Sequence, residues 1–253
     1  MKGVILAGGL GTRLYPLTFA TNKHLLPVYD KPMIYYPIQT LVKAGIKEIL
    51  VVVSGPHSGH YIHVLKNGKE FGINHLEFAY QEKPDGGIAD ALLLAEDFSD
   101  GKPIVAILGD NTTDADISKE AKDFKNGALV FLKKVVDAKR FGVPRFDRDK
   151  QTIIEILEKP KEPPSDYAVT GLYMYDKNVF DYVRRCKSSW RGELEITEVN
   201  NFYIKAKKLR WAELKGYWLD AGTFDTLLLG NLYWAKKNNP GRLKMLMKEL
   251  GLL

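Results

Sequence analysis

Short apolar runs alternate with amphipathic stretches through the first half of the chain, which is the pattern of βαβ units on a parallel sheet. The runs predict strands over Gly3–Ala7, Glu48–Ser54, Leu76–Tyr80 and Pro103–Leu108. Between the first two, "DKPMIYYPIQTLVKAGI" sets Ile34, Pro37, Ile38, Leu41 and Val42 on one helical face. Asp30 is its candidate cap, Pro32 suits the first turn and Gly45 marks the end. Pro37 lies close enough to the start to bend this helix rather than end it. "GIADALLLAEDF" predicts a further helix before the fourth strand. The second half is less regular: "ALVFLKKV", "TIIEILEKP", "YAVTGLYMYD" and "LRWAELKG" read as strands, and helices are expected over 177–187, 194–207 and 223–237. The second half thus reads as a continuation of the sheet with a substrate-facing antiparallel layer. Neither a linker nor a repeat interrupts the chain, so residues 1–240 read as one domain. Residues 241–253 form a tail in which Leu243, Leu246, Met247 and Leu250 share a helical face, expected to dock on the body or on another subunit.

The first strand breaks into "GGLGTR", and two familiar phosphate motifs fail there. G-x-G-x-x-G opening a helix is not met, because Gly9-Leu10-Gly11-Thr12-Arg13 is followed by Leu14 and Pro16 interrupts any helix; G-x-x-x-x-G-K-[ST] fails for want of its lysine. What remains is a tight turn in which Gly8, Gly9 and Gly11 expose backbone N–H groups to an anion while Arg13 adds a multi-donor cation. A plain glycine turn beside a surface arginine fits these residues equally.

The fourth strand delivers Asp110 just past its carboxyl end in "ILGDN", the edge at which open α/β sheets bind ligands. Carboxylates so placed suit Mg²⁺, although Asp110 could instead cap a turn. Asp220 in "GYWLDAGT" again follows an apolar run and precedes a helix, where capping is the simpler role. Lys23 and Lys159 are ordinary solvated lysines when taken singly. Together, a phosphate-cradling loop, two lysines and two strand-end carboxylates are what in-line attack on a nucleotide phosphate requires, since catalysis there is mainly positioning and charge neutralisation.

Composition narrows the compartment and the partners. With 45% apolar and 27% charged residues the chain is of ordinary globular make-up. No apolar run approaches the ~18 residues of a membrane span, no signal sequence is evident, and the single cysteine, Cys186, cannot form an internal disulfide. A reducing cytoplasm is expected. The net charge of +6 comes from scattered lysines mixed with glutamates, which disfavours nucleic acid and suits small polyanions.

These residues carry a likeness. "KGVILAGGLGTRLYPLT", "NKHLLPVYDKPMIYYPIQTLVKAGI", "LGDN", "FGV", "EKP", "YAVTGLYMYD", "RGELEIT" and "WLDAGT" resemble, in the same order, the sugar-nucleotide pyrophosphorylases, most closely the thymidylyl branch. The resemblance implies a single-domain Rossmann-like α/β fold of the nucleotide-diphospho-sugar transferase type, with a mixed, mostly parallel sheet flanked by helices. It implies that dTTP and glucose 1-phosphate give dTDP-glucose and pyrophosphate with Mg²⁺, without a protein nucleophile. It further implies that Gly8, Gly9 and Gly11 hold the triphosphate, that Arg13 neutralises the leaving pyrophosphate, that Lys23 contacts the phosphates, and that Asp110 and Asp220 bind the metal. Gln81 would read the pyrimidine over the Gly86–Gly87 turn. Glu158 would take sugar hydroxyls and Lys159 the sugar phosphate, with Gly142, Val169, Gly171 and Tyr173 lining the pocket and Arg191 near the phosphate.

The chain departs from the family in three places. "PDGGIADA" has one glycine more than the usual base-binding turn, "GDNTTDAD" lacks the aromatic pair that often follows GDN, and longer bacterial members continue past "LYWAKKNN" into a segment associated with assembly and end-product control. A homo-oligomer is compatible with the sequence but not required by it. The alternatives are UTP in place of dTTP, since thymine and uracil differ by one methyl group, and, from another class, a non-catalytic sugar-nucleotide sensor. The sensor is disfavoured because a binder has no use for Arg13, Lys23, Asp110, Lys159 and Asp220 together.

Overall fold

The computed structural model describes residues 1–149, 151–189 and 192–252. The strand β1 (Lys2–Ala7) leads through short 3₁₀ turns into a small hairpin of β2 (Pro27–Val28) and β3 (Lys31–Pro32). Then follow α1 (Tyr35–Lys43), β4 (Glu48–Val53), α2 (Gly59–Leu65), β5 (His75–Tyr80), α3 (Ile88–Leu93), α4 (Glu96–Ser99), β6 (Ile104–Leu108), β7 (Asn111–Thr113) and α5 (Ser118–Asp123). The second half holds β8 (Ala128–Lys134), β9 (Gly142–Phe146), β10 (Ile153–Glu158), β11 (Tyr167–Tyr175), α6 (Val179–Arg185), α7 (Ile196–Lys205), β12 (Leu209–Glu213), β13 (Trp218–Asp220), α8 (Phe224–Asn238) and α9 (Pro240–Glu249).

Among the described residues the main sheet runs β12-β8-β11-β6-β1-β4-β5. Its strands are parallel except β11, which is antiparallel to both neighbours. The expected mixed, mostly parallel sheet is therefore what forms. The central strands read as unbroken apolar runs because both faces are covered. Val4 and Leu6 point into one core with Leu50, Val52 and Ala106, roofed by α3, α6 and α7. Ile5 and Ala7 point into the other with Val51 and Ile107, where α1 supplies Ile34, Ile38 and Leu41 and α2 supplies Tyr61 and Leu65. β9 pairs antiparallel with β10, and β13 with β7, outside the main sheet.

Some local expectations need correction. Asp30 does not cap α1 and Pro32 is not in its first turn: Lys31–Pro32 is strand, and the helix begins at Tyr35 behind Ile34, which offers no side-chain cap. Pro37 is thus the third helical residue, where a missing N–H costs nothing and no bend is needed. Gly45 does end the region, at φ +80°. The predicted helix over 87–98 is split into α3 and α4. In the tail, α9 follows α8 across Asn239 and buries none of its residues: Leu243 and Met247 are half-covered, while Leu246 and Leu250 are exposed.

Candidate active site

Strand order locates the crevice. From β1 the chain crosses to β4 and β5 on one side, then returns past β1 to β6 on the other, so the connections diverge at the carboxyl ends of β1 and β6. Open α/β sheets leave their ligand crevice at such a switch point. β1 delivers Gly8, β4 Ser54, β5 Gln81 and β6 Asp110 to that edge. A cleft of about 530 Å³ opens there, the size of a small-molecule site. It brings together Gly8, Gly9, Arg13, Lys23, Gln81, Gly87, Asp110, Gly142, Glu158, Lys159, Val169, Gly171, Tyr173 and Asp220. Gly11 and Gly86 lie outside its lining. Gly11 (φ +65°) turns the loop against Thr18, whose Oγ1 donates to its carbonyl at 2.9 Å. Gly86 accepts at its carbonyl from Leu194 N–H at 2.9 Å. Arg191 falls outside the described residues.

The glycine loop is packed as well as turned. Gly9 N–H donates to Ser54 Oγ at 2.7 Å, and a Cβ on Gly8 would lie 2.7 Å from Gln81 Oε1 and 3.1 Å from Ser54 Oγ. The additional glycine of "PDGGIADA" has a similar reason. Gly87 has φ +93°, and a Cβ there would lie 2.5 Å from the Leu194 carbonyl oxygen, so only glycine lets the turn meet that backbone.

The acidic end is built by β7 and β13. Their register sets Asn111 opposite Asp220, and Ala221 N–H donates to the Asp110 carbonyl at 2.9 Å, which holds the two aspartates side by side although 110 positions separate them. Burial alone would raise the Asp110 carboxyl. The Lys23 ammonium, 2.5 Å from its Oδ2, and the Asn111 amide, 3.1 Å from its Oδ1, instead hold it well below the usual carboxylate range. Asp220 moves the other way: burial and then the Asp110 charge push its carboxyl up, only partly offset by Lys23, Arg13 and the Gly222 N–H. The Arg13 guanidinium reaches this end, since a Cβ on Gly222 would lie 2.7 Å from Asp220 Oδ1 and 3.0 Å from Arg13 Nη2. Two apposed carboxylates, one destabilised by the other, fit a hard divalent cation. Among the described residues no group of three or more His, Cys, Asp or Glu side chains forms a metal cage. The remaining oxygens would therefore come from water and phosphate, the usual arrangement for Mg²⁺.

The opposite wall comes from β9, β10 and β11. Glu158 Oε2 accepts from Thr197 Oγ1 at 2.5 Å and its Oε1 lies 3.5 Å from Lys159 Nζ, so this carboxylate is oriented before any ligand arrives. Lys159 sits at φ +44°, where its N–H donates to the Phe141 carbonyl at 3.0 Å and its half-exposed side chain turns into the cleft. β11 breaks register between Val169 and Tyr173, and in that gap Gly171 N–H donates to Asn111 Oδ1 at 3.0 Å. Burial, followed by the Glu158 and Asp110 charges, pushes the Tyr173 phenol far up, so it remains a neutral hydroxyl.

Two lining residues, His24 and Asn111, escape a reading of the sequence. His24 is buried behind Lys23: its Nδ1 lies 2.7 Å from Asn22 Oδ1 and 2.8 Å from Tyr61 Oη, and Tyr61 donates to the Ala7 carbonyl at 3.0 Å. Burial, then the Lys23 charge, pushes this imidazole down to about 3. Asn111 Oδ1 accepts from Trp218 Nε1 at 2.6 Å as well as from Gly171, tying both walls to Asp110. The aromatic pair missing after "GDN" is replaced by Asp114, which accepts from Tyr217 N–H at 2.7 Å, Tyr233 Oη at 2.6 Å and the Lys237 ammonium, and so pins α8 to β13.

An open α/β sheet with a glycine turn, flanking cations and paired carboxylates at its switch point defines a nucleotide-binding transferase architecture. The sequence profile of the nucleotidyl transferase family matches residues 2–237, and the chain belongs to that family. It is 47% identical over 232 residues to a glucose-1-phosphate thymidylyltransferase of Xanthomonas campestris pv. campestris, covering 89% of this chain and 78% of that one. It is 42% identical over 234 residues to one from Mycobacterium tuberculosis, covering 90% and 80%. A solved Bacillus anthracis protein assigned to the glucose-1-phosphate thymidylyltransferases, in complex with sucrose, superposes with a TM-score of 0.86 at 48% identity over 92% of this chain and 94% of that one. A UDP-glucose pyrophosphorylase bound to UDP-glucose superposes at 0.80 with 22% identity, over 93% and 98%, and shares the fold.

Proposed function

We propose that this chain is a glucose-1-phosphate thymidylyltransferase, joining dTTP and glucose 1-phosphate to give dTDP-glucose and pyrophosphate. The observation that carries the reading is the convergence of Gly8, Gly9, Arg13, Lys23, Asp110 and Asp220 on one side of a single cleft, with Glu158 and Lys159 on the other. The names of the relatives agree with it.

The glycine side takes the triphosphate. The Glu158–Lys159 wall takes the sugar phosphate, the carboxylate accepting sugar hydroxyls and the ammonium pairing with the phosphate. Gly142, Val169, Gly171 and Tyr173 shape this half. A sugar phosphate oxygen attacks the α-phosphorus in line, forming the new P–O bond as the bond to the β-phosphate bridging oxygen breaks. The substrate supplies the nucleophile, so positioning and charge neutralisation do the catalytic work. Arg13 meets the charge that accumulates on departing pyrophosphate. Lys23, now paired with Asp110, is placed to exchange that partner for a phosphate oxygen. Mg²⁺ held by Asp110 and Asp220 would neutralise phosphate charge and polarise the phosphoryl group. Gln81 reads the base edge that thymine and uracil share, so UTP is expected as a second substrate, because one methyl group is worth only about 1–3 kcal/mol.

A coupled pyrophosphate-release assay over a matrix of nucleoside triphosphates and sugar 1-phosphates tests the reading. The expected order is dTTP, then UTP, with CTP and GTP poor, and Asp110→Asn should lower turnover by orders of magnitude while the far-UV spectrum is unchanged. A preference for ATP or GTP, or wild-type turnover in Asp110→Asn, overturns it.

A further inference from the structure

Gln81 leaves β5 almost fully buried at the cleft, and its amide is anchored at one end. Nε2 donates to Asp90 Oδ2 at 2.8 Å and to the Gly87 carbonyl at 3.3 Å. A carboxylate and a backbone carbonyl are acceptors only. The amide nitrogen must therefore face them, and the flip state of Gln81 follows from chemistry. Oε1 consequently points the other way, toward the glycine loop, where a Cβ on Gly8 would come within 2.7 Å of it. Among the described residues Oε1 accepts no hydrogen bond. The cleft is thus offered an acceptor at this point and no donor.

We infer that Asp90 is a specificity-positioning residue: by anchoring Gln81 Nε2 it presents Oε1 alone to the base and selects pyrimidines that carry a ring N–H. The inference rests on the proposed reading of this cleft as a pyrimidine nucleotide site. Thymine and uracil present N3–H, a donor, to such an acceptor. Cytosine presents a bare N3 lone pair at the same place, and two acceptors facing each other in a desolvated pocket repel. A glutamine free to turn its amide over would satisfy either base, so Gln81 by itself does not discriminate and the anchor does. Asp90 is suited to the task because a carboxylate has no donor of its own to offer the other amide orientation, whereas asparagine has both. A supporting role in the first turn of α3 is the competing account, and it makes a different prediction for the ratio of affinities.

The test is equilibrium binding of dTTP, UTP and CTP to the full chain by titration calorimetry, in wild type, Asp90→Asn and Asp90→Ala, with thermal melts to establish folding. Wild type should bind dTTP and UTP well ahead of CTP. Both variants should narrow the dTTP-to-CTP preference roughly tenfold, about 1.4 kcal/mol, and leave the dTTP-to-UTP ratio unchanged, because the 5-methyl group is read elsewhere. Three affinities falling in parallel, affinities unaltered in both variants, or a wild type indifferent between dTTP and CTP would each overturn the inference. Preferences that respond as expected in a protein releasing no pyrophosphate with glucose 1-phosphate would instead support the anchor and overturn the proposed reaction.

Discussion

Exchange of His24 for glutamine should remove a pH-dependent loss of stability that can be sized from the structure. The imidazole is buried, and Asn22 Oδ1, which also accepts from His24 backbone N–H at 3.1 Å, is the acceptor for Nδ1–H, so the neutral ring is fully accommodated. Its pKa falls from the ordinary 6.5 to about 3 because burial, and then Lys23, oppose a second positive charge. In the unfolded chain the same ring binds a proton near its ordinary value. Between pH 6.5 and about 3 the unfolded state therefore holds more protons than the native state, and stability falls as pH falls through that window. Each pH step inside it costs about 1.4 kcal/mol, giving a loss of about 2 kcal/mol by pH 5 and approaching about 5 kcal/mol near pH 3. Glutamine retains hydrogen-bonding capacity toward Asn22 and Tyr61 and carries no titratable group. Urea unfolding at pH 8, 7, 6 and 5 measures the effect: the stability of wild type relative to His24→Gln should decline by about 2 kcal/mol from pH 8 to pH 5. Parallel profiles for the two proteins would refute the argument that His24 stays neutral in the fold.

Two further outcomes are expected. Gly171→Ala would place a methyl group 2.6 Å from Asn111 Oδ1 and 2.7 Å from Leu108 Cδ1, so a stability loss of about 1–3 kcal/mol is expected in urea titrations; wild-type stability would mean that the β11 break yields easily. Arg13→Ala should chiefly lower kcat, because leaving-group charge grows in the transition state, and Lys159→Ala should chiefly raise KM for glucose 1-phosphate; a Lys159→Ala effect confined to the nucleotide KM would show that the two phosphate subsites have been exchanged.

Much of the fold was legible because buried parallel strands have a local signature. "KGVILA", "EILVVV" and "PIVAIL" are apolar on both faces; the first ends immediately before Gly8 of the cleft and the third on Leu108 of it. The antiparallel β11 and the pair β9–β10 were less distinct, since β-propensity marks strands but not their partners. The cap assigned to Asp30 failed because Lys31–Pro32 pairs with Pro27–Val28, and an Asp-Lys-Pro sequence fits a turn as readily as a helix start. Gly8, Arg13, Asp110 and Asp220 stood out because strand ends and glycine turns are punctuation that one sequence can show. His24, Asn111 and Asp90 did not. His24 acquires its character from Tyr61, Asn111 from Gly171 and Trp218, and Asp90 from Gln81, and no window on the sequence contains those partners.

The β7–β13 pairing also sets when the protein becomes competent. A chain emerging as far as α7 already holds the glycine turn, Gln81, Lys23, Asp110 and the Glu158–Lys159 wall, whereas the second carboxylate arrives only when Trp218–Asp220 closes on Asn111–Thr113. Completing the acidic pair therefore comes after most of the cleft in chain order, a closure across 110 positions that becomes favourable only once most of the sheet exists to receive it. Unzipping these few residues would take away half of the acidic pair without touching the seven-stranded sheet, so loss of function should precede loss of structure wherever the chain is stressed.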